Sequence, residues 1–238
     1  MRKVALFVEG QAEQIFVREF LLRWYDYDTN RLGINCLKLV AESLSQAEYD
    51  YGNEESEDYY QIINAGNDNK TLSAMLRRAK GLVGAGYEWI VGLRDMYSET
   101  YREESPGVIS QEVNRMFIDG ANDQIAQSEY AGQMKFHFAI MEVEAWMLAL
   151  LEKWLDPSVT REQLATVFDP QCNLETDVYH PAEKVTEITA LGGGRPYDKH
   201  KGEVNAIFSS IAKEDYQTLY DSGRCPSFNA FVDSLLRG

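Results

Sequence analysis

The segment that most constrains the fold lies at the start of the chain. Residues 3–9 read KVALFVE, a short apolar run ended by Gly10, and from Gln11 to about Tyr25 the residues Ile15, Phe16, Phe20, Leu21 and Trp24 recur at helical spacing. A continuous apolar run this short is the pattern of a strand covered on both faces, and a glycine turn into an amphipathic helix makes it the opening of a crossover unit. The pattern repeats. Strands are expected at residues 34–41, 60–65, 87–93 and 134–141. Helices are expected at 70–83, from a Ser105-Pro106 start to about Gln127, and over 142–155. This alternation predicts an α/β fold with a mostly parallel, Rossmann-like sheet flanked by helices. The acidic, tyrosine-rich stretch 42–60 has little apolar pattern and is expected to be a solvated loop. The rest reads as helical, so the expected organisation is an α/β core over 1–155 and a helical C-terminal extension over 156–238 packed on it.

With 238 residues, 45% of them hydrophobic, the chain can bury one core plus a small appendage, which excludes collagen-like, disulfide-framework and disordered classes. The 23 basic and 38 acidic side chains give a net charge of −15. Long-range attraction therefore does not bring this chain to nucleic acid or an anionic membrane; a polyanionic substrate needs metal ions, a local basic patch or a basic partner. Cys36, Cys172 and Cys225 are odd in number and form no C-x-x-C, the pattern of reduced thiols in a cytoplasmic protein without structural zinc. The five apolar residues before Glu9 are too few for a signal-peptide core, and no segment reaches membrane-spanning length.

In an open parallel sheet the ligand crevice lies outside the carboxyl ends of the strands. Each informative strand delivers an acid there: Glu9 on the first, Asp95 on the central one, Glu142 and Glu144 on the last. Carboxylates of this kind suit Mg²⁺, or Mn²⁺, and two ions about 4 Å apart would stabilise both the attacking and the leaving oxygen of a phosphodiester. Helix N-termini also attract carboxylates, so one of Glu142 and Glu144 can serve only as a cap. In a strand positions 142 and 144 share a face, whereas in a helix they point about 200° apart. Both serve one site only if the extended conformation persists through Ala145.

The string Val4-Ala5-Leu6-Phe7-Val8-Glu9-Gly10-Gln11-Ala12-Glu13-Gln14-Ile15-Phe16 resembles the opening motif of TOPRIM-fold proteins, in particular a bacterial TOPRIM-like group of largely uncharacterised function. Ile90-Val91-Gly92-Leu93-Arg94-Asp95 is similar to its second acidic motif and Met141-Glu142-Val143-Glu144-Ala145-Trp146 to its third. Pro196-Tyr197-Asp198-Lys199 and Cys225-Pro226-Ser227-Phe228 are similar to its closing motifs. The resemblance implies a TOPRIM-like core and a Mg²⁺-dependent nuclease related to the overcoming-lysogenization-defect group and to abortive-infection effectors of anti-phage defence. Such an enzyme cleaves DNA or RNA, tRNA included, under the control of an ABC- or AAA-type ATPase partner, with homodimerisation when active. It further implies Glu9 as general base or metal-linked acid, Asp95, Glu142 and Glu144 as metal ligands, and Glu13 as a supporting residue one helical turn beyond Glu9. The second motif departs from the usual Asp-x-Asp, because Tyr97 stands at its second acidic position. Either Glu142 or Glu144 then supplies the missing oxygen, or one ion binds, or the protein is a catalytically inactive adaptor that docks on and regulates an ATPase.

Lys184, Arg195, Lys199, His200 and Lys201 form a basic stretch against the acidic background. Lys184 or Lys199 could stabilise charge on a phosphodiester opposite the acids, while a solvated helix face with ion pairs accounts for most of these side chains. His180, before Pro181, is a candidate helix cap, and His137 a packed or exposed strand residue. Without G-x-G-x-x-G or a P-loop order, neither a nicotinamide cofactor nor a P-loop nucleotide site is expected.

Overall fold

A computed structural model describes residues 1–47, 49–66, 68–193, 195–198 and 203–237. Strands β1 (Arg2–Val8), β2 (Leu32–Val40), β3 (Ser43–Gln46), β4 (Asp58–Asn64), β5 (Trp89–Asp95) and β6 (Met134–Ala139) form one sheet in the order β3-β2-β4-β1-β5-β6. Every neighbouring pair is parallel except β2 with β3. The chain is thus an α/β protein with a six-stranded, mostly parallel sheet flanked by helices.

Strand β1 shows why. Val4, Leu6 and Val8 enter one core and Ala5 and Phe7 the other, all five fully buried, so the apolar run is continuous because both faces are covered. On the first face lie α1 (Gln11–Trp24), α9 (Glu203–Ser209), α10 (Lys213–Ser222) and α11 (Pro226–Leu236); on the second lie α2 (Asp68–Gly84) and α4 (Gln111–Ala126). Phe16 of α1 stacks among Trp146, Phe208 and Phe228, with ring centroids 5.2, 4.9 and 6.4 Å away. Burying each such ring contributes about 2–3 kcal/mol, and it fastens the C-terminal helices to the sheet. At Gly92 in β5 a Cβ would stand 2.2 Å from the Phe136 ring of β6, so a glycine is what lets that ring lie across the strand.

Several boundaries differ from expectation. Within 42–60, β3 pairs with β2 at the sheet edge after a turn in which Ala41 and Glu42 both adopt positive φ, and Tyr51 bridges to Ile34. A mostly exposed edge strand carries no apolar alternation to reveal it. The helix expected from Ser105-Pro106 to about Gln127 is α4, which begins six residues later at Gln111, and a separate short helix, α3 (Glu99–Glu104), lies before the expected start. Ser98 and Ser110 are the residues whose side chains cap them, and Ser105 instead ends α3. The helix expected over 142–155 is α5 (Glu144–Ala149) and α6 (Leu151–Trp154), broken at Leu150, and β6 stops at Ala139 rather than Met141. Beyond these come α7 (Arg161–Ala165) and α8 (Pro181–Thr189). Among the described residues no helix is long and apolar enough to cross a membrane, and the three cysteines are free thiols.

Candidate metal centre

Because β1, β5 and β6 are adjacent and parallel, their carboxyl ends share one edge of the sheet. Glu9 follows β1 directly, and its Oε2 accepts the backbone N–H of Asp95 at 3.2 Å. Asp95, Glu142 and Glu144 are all buried, and each offers a carboxylate oxygen within 4.8 Å of the others.

The segment after β6 brings Glu142 and Glu144 together by a route the strand argument did not contain. The extended conformation does not persist through Ala145. The N–H groups of Met96 and Tyr97 donate to the carbonyls of Ala139 and Met141 at 2.9 and 2.8 Å, continuing the β5–β6 contact past the strand ends. Met141 itself is left-handed at φ +63°, Val143 is already helical, and the Val143 N–H donates to Asp95 Oδ1 at 2.9 Å. A left-handed residue followed by a helical turn replaces the two-residue repeat of a strand, so the two glutamates converge without sharing a strand face. Left-handed backbone at a non-glycine residue costs on the order of 1–3 kcal/mol, offset here by these hydrogen bonds and by full burial of Met141.

Each of the three carboxylates has one oxygen held by a donor. Asp95 has the Val143 amide. Glu142 Oε2 accepts the Ala182 N–H at 2.9 Å, in the first turn of α8, where the helix dipole favours negative charge. Glu144 Oε1 accepts the Tyr197 hydroxyl at 2.7 Å. The other oxygen of Glu144 is buried with no hydrogen-bond partner. Burial pushes the Asp95 carboxyl well above its ordinary range, and the charges of Glu13, Glu9, Glu144 and Glu142 push it in the same direction. Burial, then the charge of Glu144, likewise raises the Tyr197 hydroxyl, so Tyr197 remains a donor. A buried carboxylate cluster with an orphaned oxygen fits a hard divalent cation, which satisfies that oxygen and relieves the repulsion.

The remaining expected residues fall around this centre. Glu13 is buried, and its Oε2 accepts the Gly10 N–H at 2.8 Å, so it closes the first turn of α1 while its charge bears on Asp95. Tyr97 contributes its backbone to the Met141 turn, and its ring lies edge-to-face with His180. His180 occupies the cap position of α8 but makes no side-chain cap bond. Lys184 is half-exposed on α8 and pairs with Glu187 at 2.7 Å. Lys199, with His200 and Lys201, lies outside the described residues. An open cleft of about 680 Å³, lined by Ala182, Arg195, Tyr197 and Asp198 among others, adjoins the centre through Ala182 and Tyr197.

Sequence reasoning assigned no role to Tyr197, although it lies in one of the quoted strings, nor to the Val143 and Ala182 amides. A backbone donor carries no residue-type signal. Fold and centre together define an α/β protein with a buried carboxylate cluster at the carboxyl edge of its sheet. No family model matches the chain, and neither does any curated protein or solved structure.

Proposed function

We propose that Asp95, Glu142 and Glu144 bind Mg²⁺ or Mn²⁺ and that the protein hydrolyses phosphodiester bonds of nucleic acid. The observation that carries this reading is the set of three buried carboxylates within 4.8 Å, with Oε2 of Glu144 unpartnered. Bound there, the cation would supply Lewis-acid polarisation of a phosphoryl oxygen and a bound water of lowered pKa. The protein's own groups do the positioning. The Val143 and Ala182 amides and the Tyr197 hydroxyl fix the orientation of the three carboxylates. Glu9 is only partly buried and stands against Asp95, a placement suited to accepting a proton from an attacking water.

The resemblance to TOPRIM proteins supports the same chemistry and extends it to a nuclease effector of anti-phage defence held silent by an ATPase partner. Tyr97, in place of a second acid, favours the alternative of a TOPRIM-fold adaptor without catalysis. Both are tested by incubating plasmid, single-stranded DNA and tRNA with the protein and Mg²⁺ or Mn²⁺, wild type beside Glu9→Gln and Glu144→Gln. Metal-dependent cleavage lost in both variants is the expected result. No cleavage by wild type, with or without an ATPase encoded beside it, would leave the adaptor.

A further inference from the structure

Next to the carboxylates lies a group of aromatic side chains that the hydrolytic reading does not use. Tyr97, Tyr179 and His180 are all partly exposed. Their rings meet pairwise edge-to-face, with centroids 5.7 Å apart for Tyr97–Tyr179, 4.9 Å for Tyr97–His180 and 4.6 Å for Tyr179–His180. Three edge-to-face contacts use at most three of the six ring faces. Tyr101 approaches Tyr179 from the buried side, and the Arg102 guanidinium sits 5.7 Å from the Tyr97 ring centroid. Tyr97 and Tyr179 also pack against the second core, and the solvent-exposed part of the three rings is what is open to a flat ligand.

The position of the group is fixed by the elements that build the centre. Tyr97 stands two residues beyond Asp95 with its N–H on the Met141 carbonyl. His180 comes two residues before Ala182, whose amide holds Glu142, and its side chain is not spent on capping α8. The Tyr179 hydroxyl is tied to the Ser105 carbonyl at 2.7 Å, so its ring is braced from below. Arg102 is exposed and is held against Tyr97 by a hydrogen bond to its hydroxyl and by its place on the ring, and among the described residues no carboxylate forms an ion pair with it. A chain of net charge −15 thus presents an arginine without an acidic partner and a rigid aromatic surface on the border of its carboxylate cluster.

We propose that Tyr97, Tyr179 and His180 form a platform on which an unpaired nucleobase stacks, that Arg102 binds an adjoining phosphate, and that the ligand is therefore single-stranded nucleic acid. Bases of a duplex are stacked inside it and cannot reach such a platform, whereas every unpaired base offers a π-face to an aromatic ring. The arginine supplies the local cation that the overall charge denies. This rests on the phosphodiesterase reading for the location of the scissile bond, but it makes its own demand on binding.

The test measures binding without turnover. Fluorescein-labelled single strands and the matching duplex are titrated by anisotropy with Ca²⁺ in place of Mg²⁺. Tyr97→Trp serves as an aromatic-preserving variant whose fluorescence reports a stacked base. The expected result is tighter binding of the single strand, quenching in Tyr97→Trp, and about 10-fold or greater loss of affinity in Tyr97→Ala and in His180→Ala. Arg102→Ala should lower the salt slope by about one. A Mn²⁺-induced thermal shift in each variant verifies that the fold and the centre survive. Preference for duplex, equal affinity in all variants, or a free mononucleotide bound as tightly as the strand would each overturn the proposal. Single-strand binding with these variant effects but no Mg²⁺-dependent cleavage would uphold it while removing the hydrolytic reading.

Discussion

The hydroxyl of Tyr197 donates to Oε1 of Glu144 at 2.7 Å, joining the segment after α8 to the first residue of α5 inside the buried centre. Both residues are buried, so neither group has water as a substitute partner.

Replacing that donor should therefore be costly while the site is empty of metal. Tyr197→Phe is expected to lower stability by about 1–3 kcal/mol in EDTA, the cost of leaving a buried acceptor unpaired. The deficit should shrink in saturating Mn²⁺, which takes over the carboxylate. Urea unfolding in the two conditions measures it, and an equal deficit in both would argue against a shared role of Glu144 in the hydrogen bond and the cation site.

Asp95 is squeezed by burial and by four other carboxylates. Asp95→Asn removes one of the crowded charges without changing shape, so the metal-free variant should melt at a higher temperature than wild type. It should also lose the stabilisation that a divalent cation confers, which for wild type amounts to about 2.7 kcal/mol at a hundredfold excess over Kd. Thermal melts with and without Mn²⁺ give both comparisons.

The left-handed conformation of Met141 predicts an inverted order of substitution. Met141→Ala and Met141→Gly both lose the buried side chain, but glycine also removes the backbone strain at φ +63°. Met141→Gly should be the more stable of the two by about 1 kcal/mol. At an ordinary strand or helix position glycine would be the worse choice, so chemical denaturation of the pair reports directly on the turn that aims Glu142 and Glu144.

His137 on β6 sets a pH dependence away from the centre. Its Nε2 is buried without a partner, its ring packs edge-on to Phe231, and burial, then the charge of Lys135, lowers its pKa to about 4. The unfolded chain takes up a proton near pH 6.5 and the folded chain does not. Stability should thus be unaffected by this group above pH 6.5 and fall by about 1.4 kcal/mol per pH unit as the pH drops from there towards 4. The difference between wild type and His137→Phe in urea midpoints across this range should show that slope, and a flat difference would contradict it.

The strands that matter were legible because they are buried on both faces: a continuous run such as residues 4–8 has few other ways to fold. The acids at their ends were legible for the same reason, since parallel neighbours must end at one edge. Partners that come from elsewhere in the chain left no such mark. The edge strand β3 lacks the alternation of a half-buried strand, and Tyr97 and His180 lie 83 residues apart, brought together only by the fold.

The amino-acid order alone thus determined the α/β alternation and which carboxylates stand at the sheet's carboxyl edge, because hydrophobic periodicity is a local property that each segment carries by itself. Only the tertiary structure decided how Glu142 and Glu144 reach one point. Their convergence depends on a left-handed residue and on donors from Val143, Ala182 and Tyr197, and hydrogen bonds between distant segments are written in the packing, not in any local pattern.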